Sequence, residues 1–340
     1  MIFDIKIYMN IIFKIIVIAM FASLTYAESK HKLIGNQLVI GINHYPIEQS
    51  WLKFIKDNEI SGVIFISDAY RNADHVKNTI IKIKKVINHK MFFCIDQEGG
   101  KVNRIKENII QVPAASIIAK THTEKEAFQL YQKQAHELSA IGINVNFSPV
   151  LDIIDNDKNN VIGNRSFGNN YKVVFNYGKQ VINASLMENV LPVIKHFPGH
   201  GYTYTDSHHV MPVHNNVIRL IKQDVIPFKK SIKLGSPAIM IAHILYPKLD
   251  KVYPASLSKE IVTNYLKNSL KFNGIIFSDD ISMGAIKQHY SLTKAIQTSI
   301  EAGIHQVIVI TSLEKLKEIL NTIEIELTEN RVLEQILKKN

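Results

Sequence analysis

The chain has 340 residues, 46% of them hydrophobic and 21% charged, which supports a full buried core and excludes a disordered chain. Its formal net charge of +10 would suit a polyanionic partner, but the lysines are scattered, with no Arg/Lys block and no aromatic–basic interleaving, so nucleic acid is not expected as a partner. The single cysteine, Cys94, excludes an intramolecular disulfide and a cysteine-based zinc cluster, and its apolar setting in MFFCI reads as a buried core thiol.

From Asn10 to Ala27 the chain reads NIIFKIIVIAMFASLTYA, an apolar stretch that closes on small residues at the positions a signal peptidase reads. Residues 1–27 are therefore expected to be a signal peptide, with an uncleaved N-terminal anchor as the alternative. The uninterrupted segment Ile15 to Leu24 is short of the ~20 residues that a span needs. Export to the periplasm or beyond the cell follows, with a cytoplasmic location as the alternative. Contact with a membrane is expected only through this segment.

From Lys32 onward, short β-branched or aromatic runs alternate with longer stretches of helical periodicity, the pattern of parallel βα units. The runs that read as strands are Leu38–Ile42, Gly62–Ile66, Met91–Ile95, Ile143–Phe147, Leu191–Lys195, Ala238–Ala242, Gly274–Ser278 and Gln306–Ile310. Eight such units predict a single-domain (β/α)₈ barrel of the α/β class over residues 28–340, with its reactive face at the strand C-termini. Leu316, Ile319, Leu320 and Ile323 are spaced for a closing amphipathic helix, followed by a polar tail ending Lys338-Lys339-Asn340.

Polar clusters fall at that reactive face. They are Asp96-Gln97-Glu98-Gly99-Gly100 after the third strand, Ser148 to Asp152 after the fourth and His196 to Gly201 after the fifth; His243 follows the sixth and Asp279-Asp280 the seventh. Carboxylates there suggest glycosidase chemistry, in which one group attacks the anomeric carbon while another protonates the leaving oxygen. Of Asp279 and Asp280 at most one points into the mouth, because side chains alternate along a strand, and the other would hold a loop. Asp206 and His208 are close enough for a carboxylate to orient an imidazole as general acid/base. The same stretch also reads as a metal site, since His196, His200, Asp206, His208 and His209 are all possible ligands, or as histidines that merely brace a glycine-rich loop.

Four segments carry a family likeness: DQEGGKVNR at 96–104, IGNRSFG at 162–168, KHFPGHG at 195–201 with its DSH tail at 206–208, and FSDDISM at 277–283. Together they resemble glycoside hydrolase family 3, in particular its single-domain bacterial β-N-acetylhexosaminidases, over about residues 33 to 312. The resemblance implies a retaining enzyme with Asp279 as nucleophile, His208 as acid/base and Asp206 as its orienting partner. It implies that Asp96, Arg104, Arg165, Lys195 and His196 hold the sugar hydroxyls and the N-acetyl group, with no metal and no cofactor. The implied partner is an N-acetylglucosamine-containing saccharide, peptidoglycan or its fragments, bound by a monomer.

The residue chemistry agrees. Arg and Lys offer donors to hydroxyl oxygens and to an amide carbonyl, whereas a carboxylate such as Asp96 accepts from two adjacent hydroxyls. Lys195, ending an apolar strand, requires a buried partner. Glu98 is expected to hold a loop or a neighbouring side chain, and His243 is either pocket wall or loop support. Lys101, Ile281 and Tyr202 depart from the family pattern. The bulk of Tyr202, beside the loop that bears the dyad, is expected to affect the leaving-group side, and an imidazole acid/base leaves phosphorolysis open as a variant second step.

Overall fold

The computed structural model describes residues 32–154, 161–203 and 205–329; the apolar N-terminal segment and the polar C-terminal tail lie outside them. Eight parallel strands close into a barrel in the order β1-β8-β7-β6-β5-β4-β3-β2. They are β1 (Leu38–Ile42), β2 (Gly62–Phe65), β3 (Phe92–Ile95), β4 (Val145–Asn146), β5 (Leu191–Phe197), β6 (Ala238–Ile241), β7 (Ile275–Asp280) and β8 (Gln306–Val309). All eight runs expected from the sequence are strands. β4 is the shortest and β5 and β7 run two residues further than their patterns suggested, carrying His196, Phe197, Asp279 and Asp280 within the sheet. A short antiparallel hairpin, Gln97–Gly99 with Val102–Asn103, caps the mouth after β3.

Two apolar layers hold the barrel. Val39, Ile64, Cys94, Val145, Val193, Met240, Phe277 and Ile308 pack inside it, and their strand neighbours Leu38, Ile40, Val63, Ile95, Ile194, Ile239 and Ile276 pack outward under the helices. That split is the period-2 alternation of a pleated strand. Carried one step further toward the mouth, the inward phase of Cys94, Val193 and Phe277 falls on Asp96, Lys195 and Asp279, so the backbone that fills the core also aims these three charged groups at the barrel axis. The closing helix Leu313–Glu329 buries Leu316, Ile319, Leu320 and Ile323 as expected.

Candidate active site

A cavity of about 330 Å³ opens at the C-terminal ends of the strands. Asp96, Arg104, Arg165, Lys195, His196, His208 and Asp279 all border it, so seven of the eight site residues expected from the sequence converge on one space. The eighth, Asp206, stands behind His208. Its Oδ1 accepts from the His208 backbone N–H at 2.9 Å and lies 2.7 Å from the ring Nδ1, which turns Nε2 to the outside of the pair. Burial works against the Asp206 carboxylate, but these hydrogen bonds outweigh it and hold its pKa below the ordinary value.

The floor is a chain of buried ion pairs. Lys195 Nζ reaches Asp96 Oδ1 at 2.7 Å and Glu98 Oε1 at 2.6 Å, supplying the buried partners its position demanded. Glu98 also takes Arg165 in a bidentate grip, Nε to Oε2 at 2.8 Å and Nη2 to Oε1 at 2.7 Å. It thus holds neighbouring side chains, one of its two expected roles, fixing two cations at once. Burial alone would raise the Glu98 carboxyl, but Arg165 and Lys195 bring it down to about 2. Asp96 is likewise held below its usual range, the penalty of burial being exceeded by Lys195 and Arg104. Arg104, with Nη2 3.5 Å from Asp96, keeps a buried Nε without a partner among the described residues.

Asp152, to which the sequence analysis gave no role, organises the next layer. Fully buried, it accepts from the His200 backbone N–H at 2.7 Å and lies 2.6 Å from His196 Nδ1. An ionised carboxylate only accepts, so His196 carries its proton on Nδ1 and presents Nε2 elsewhere. A charged residue closing the apolar run Pro149-Val150-Leu151 was the available signal, because a buried Asp needs a partner.

Asp279 and Asp280 both border the cavity, but their carboxylates differ in employment. Asp280 Oδ1 accepts from the backbone N–H groups of Ser282 at 3.0 Å and Ile310 at 3.1 Å, and Oδ2 from the Ser282 hydroxyl at 2.5 Å; this carboxylate ties the β7 loop to β8. Burial pushes its pKa up to about 6. Asp279 accepts the Asp280 N–H at 2.8 Å. Burial opposes its charge, yet the imidazoles of His243 and His196, that N–H and Lys195 prevail and keep its carboxyl below the ordinary value. An ionised, inward-facing carboxylate that shares a cavity with an oriented imidazole has the elements of nucleophilic catalysis with proton transfer to the leaving group.

His243 proves to be loop support. Its Nε2 donates to the Asp280 carbonyl at 2.9 Å and its Nδ1 meets the Ser256 hydroxyl at 2.6 Å, and burial lowers its pKa. His200 is buried against Thr203, 2.8 Å from Nδ1; burial and the neighbouring His196 bring its pKa down to about 4. Of the histidines that the sequence left open as metal ligands, His196, His200 and His208 serve separate partners in Asp152, Thr203 and Asp206, and among the described residues no three His, Cys, Asp or Glu side chains converge on a metal position. Tyr202 also departs from expectation. Its ring lies 5.1 Å from that of His214 and under the Arg219 guanidinium at 4.8 Å and does not border the cavity, because a cation and a buried imidazole offer it a better seat than solvent does.

Comparison with known proteins gives a consistent relationship. Residues 32–338 match the Glycosyl hydrolase family 3 N terminal domain. The beta-hexosaminidase of Hydrogenovibrio crunogenus (strain DSM 25203 / XCL-2) is 31% identical over 304 residues, covering 86% of this chain and 85% of that protein. Among solved structures, a glycoside hydrolase family 3 beta-N-acetylglucosaminidase from Paenibacillus sp. str. FPU-7 superposes with a TM-score of 0.85 at 29% identity; the match covers 91% of this chain and spans 60% of that one. NagZ from Neisseria gonorrhoeae, solved in complex with N-trifluoroacetyl-D-glucosamine, superposes with a TM-score of 0.76 at 28% identity, covering 86% of this chain and 85% of that one.

Proposed function

The chain belongs to glycosyl hydrolase family 3 and is a glycoside hydrolase, and from that premise we propose that it is a retaining β-N-acetylhexosaminidase that removes terminal β-linked N-acetylglucosamine. The observation that carries the reading is the cavity bordered at once by Asp279, His208 and the Asp96–Lys195–Glu98–Arg165 ion-pair chain. The beta-hexosaminidase relative and the solved complex with an N-acylated glucosamine support the sugar assignment.

His208 protonates the glycosidic oxygen as an Asp279 carboxylate oxygen attacks the anomeric carbon; the C–O bond to the leaving group breaks and a covalent glycosyl-enzyme forms. His208, now the base, takes a proton from water, whose oxygen displaces Asp279 and releases the sugar with its configuration retained. Asp206 keeps the imidazole oriented through both steps. Asp96 accepts from sugar hydroxyls, and Arg104, whose Nε is left open, Arg165, Lys195 and His196 hold hydroxyl oxygens and the acetamide carbonyl.

The apolar run from Asn10 to Ala27 supports export, which makes peptidoglycan or its fragments, met outside the cytoplasmic membrane by a monomeric enzyme, the natural substrate. Release of nitrophenol from an aryl N-acetyl-β-glucosaminide, set against the aryl β-glucoside, tests the activity. Turnover of the acetamido sugar alone, reduced by on the order of 10⁴-fold in Asp279→Ala, is expected. Turnover that survives Asp279→Ala, or that a chelator abolishes, overturns the mechanism. Sedimentation of cell fractions together with N-terminal sequencing tests export, and an intact N-terminus on a cytoplasmic protein rules it out.

A further inference from the structure

The loop that bears Asp206 and His208 leaves β5 at Gly199 and reaches the next helical turn at Val217. In its middle the side chains of Asp206 and His208 are 40% and 62% exposed, and the backbone there is held by the Gly284 and Ala285 N–H groups on the His208 and Ser207 carbonyls. Its two ends are buried on a common footing. At the first end the Gly199 carbonyl accepts from the Tyr246 hydroxyl at 2.8 Å, and the glycine has φ +139° with the site of a Cβ only 2.7 Å from Asp224 Cβ, so no other residue fits without displacing Asp224. At the second end the His214 N–H donates to the Leu245 carbonyl at 2.9 Å, and its ring Nε2 reaches Asp224 Oδ2 at 3.0 Å, both side chains fully buried.

The second oxygen of Asp224 takes Arg219 Nε at 3.2 Å. The Arg219 guanidinium covers the Tyr202 ring, which lies 5.1 Å from the His214 ring, which in turn stacks at 5.4 Å on Tyr246. Arg219 thereby joins a residue early in the loop, Tyr202, to the buried carboxylate that holds its far end. Arg219, Tyr202, His214 and Asp224 all lie outside the residues bordering the cavity, and none has a part in the chemistry.

We propose that Arg219, Tyr202, His214 and Asp224 form an anchor that sets the position of His208 over the leaving-group oxygen, making them positioning residues for proton transfer. The proposal rests on His208 being the acid/base. A displacement of roughly 1 Å at a catalytic group costs on the order of 10²-fold, and a loop held at its middle by bonds from Gly284 and Ala285 and at its ends by this cluster passes a shift of either support to the proton donor.

The test is the dependence of kcat/KM on the leaving group, because a leaving group that departs without protonation does not need His208 in place. Phenyl and 2,4-dinitrophenyl N-acetyl-β-glucosaminides are compared for the wild-type chain, Arg219→Ala and Tyr202→Leu. Each variant is expected to lose about 10- to 100-fold on the phenyl substrate and under about 3-fold on the dinitrophenyl one. Should Arg219→Ala not fold, Tyr202→Leu carries the same comparison at a partly exposed position. Equal losses on the two substrates mean that the cluster only maintains folded protein, and unchanged kinetics mean that the loop stands without it; either result overturns the proposal. Failure of the wild-type chain to cleave either substrate would instead strike the reading of the activity.

Discussion

The backbone N–H of Gly284 donates to the carbonyl oxygen of His208 at 2.9 Å, joining the segment that follows Asp279 to the loop that holds the dyad. The Ala285 N–H to Ser207 carbonyl bond, at 3.0 Å, runs beside it, and Gln288 Nε2 reaches the His209 carbonyl at 2.5 Å. The segments bearing the proposed nucleophile and the proposed acid/base, 71 positions apart by their numbers 279 and 208, are therefore joined by two backbone bonds and one side-chain bond.

A side chain at 284 breaks that connection. A Cβ there would stand 2.5 Å from both the His208 and the His209 carbonyl oxygens, and since both are backbone the loop itself has to move. Gly284→Ala is expected to lower kcat/KM for an aryl N-acetylglucosaminide by roughly 10-fold or more with a cooperative melt retained. Full activity in a folded variant would show that the contact does not position His208.

Glu98→Gln tests the ion-pair floor. The Glu98 carboxyl is brought down to about 2 in the folded chain from its ordinary 4.5, so its charge stabilises the fold fully above the unfolded value and the contribution fades as pH falls from about 4.5 toward 2. A shift of this size corresponds to on the order of 3 kcal/mol at neutral pH. Chemical denaturation of wild type and Glu98→Gln at pH 7 and pH 3 should show a large stability gap that narrows at the lower pH; a gap independent of pH refutes the electrostatic account.

Asp280 carries the opposite sign. Its carboxyl, raised by burial from 3.8 to about 6, is harder to ionise folded than unfolded, so this group costs stability increasingly as pH rises from about 4 to about 6 and then levels off. Asparagine keeps an oxygen for the Ser282 and Ile310 N–H groups. Asp280→Asn should therefore lose this component and, relative to wild type, gain stability between pH 4 and pH 6.5; a constant difference between the two across that interval contradicts the assignment.

Much of the site was named by the family resemblance, and part of it also obeys local rules. Asp96, Lys195 and Asp279 each continue the inward phase of an apolar strand, and strand alternation is a property of the backbone alone. Glu98, Asp152 and Tyr202 were not readable in the same way. Glu98 meets Arg165 across 67 positions and Asp152 meets His196 across 44, and nothing in either neighbourhood says which cation faces which carboxylate. Tyr202 was expected on the leaving-group side, and the Arg219 that seats it elsewhere lies 17 positions further on, by their numbers 219 and 202.

The sequence by itself determined the eight strands and the end of the barrel that carries the polar groups, because hydrophobic period and strand direction are encoded in consecutive residues, while the choice of Asp279 over Asp280 came from the family resemblance. Only the tertiary structure decided the partners: Lys195 shared between Asp96 and Glu98, His196 fixed by Asp152, His243 turned from the cavity to the Asp280 carbonyl, and Tyr202 set under Arg219. Such pairings depend on how far each strand is staggered against the next, as in the register shift between Ile194 and Phe197 where β5 meets β6. Stagger is set by the closure of the whole barrel rather than by any one segment of it.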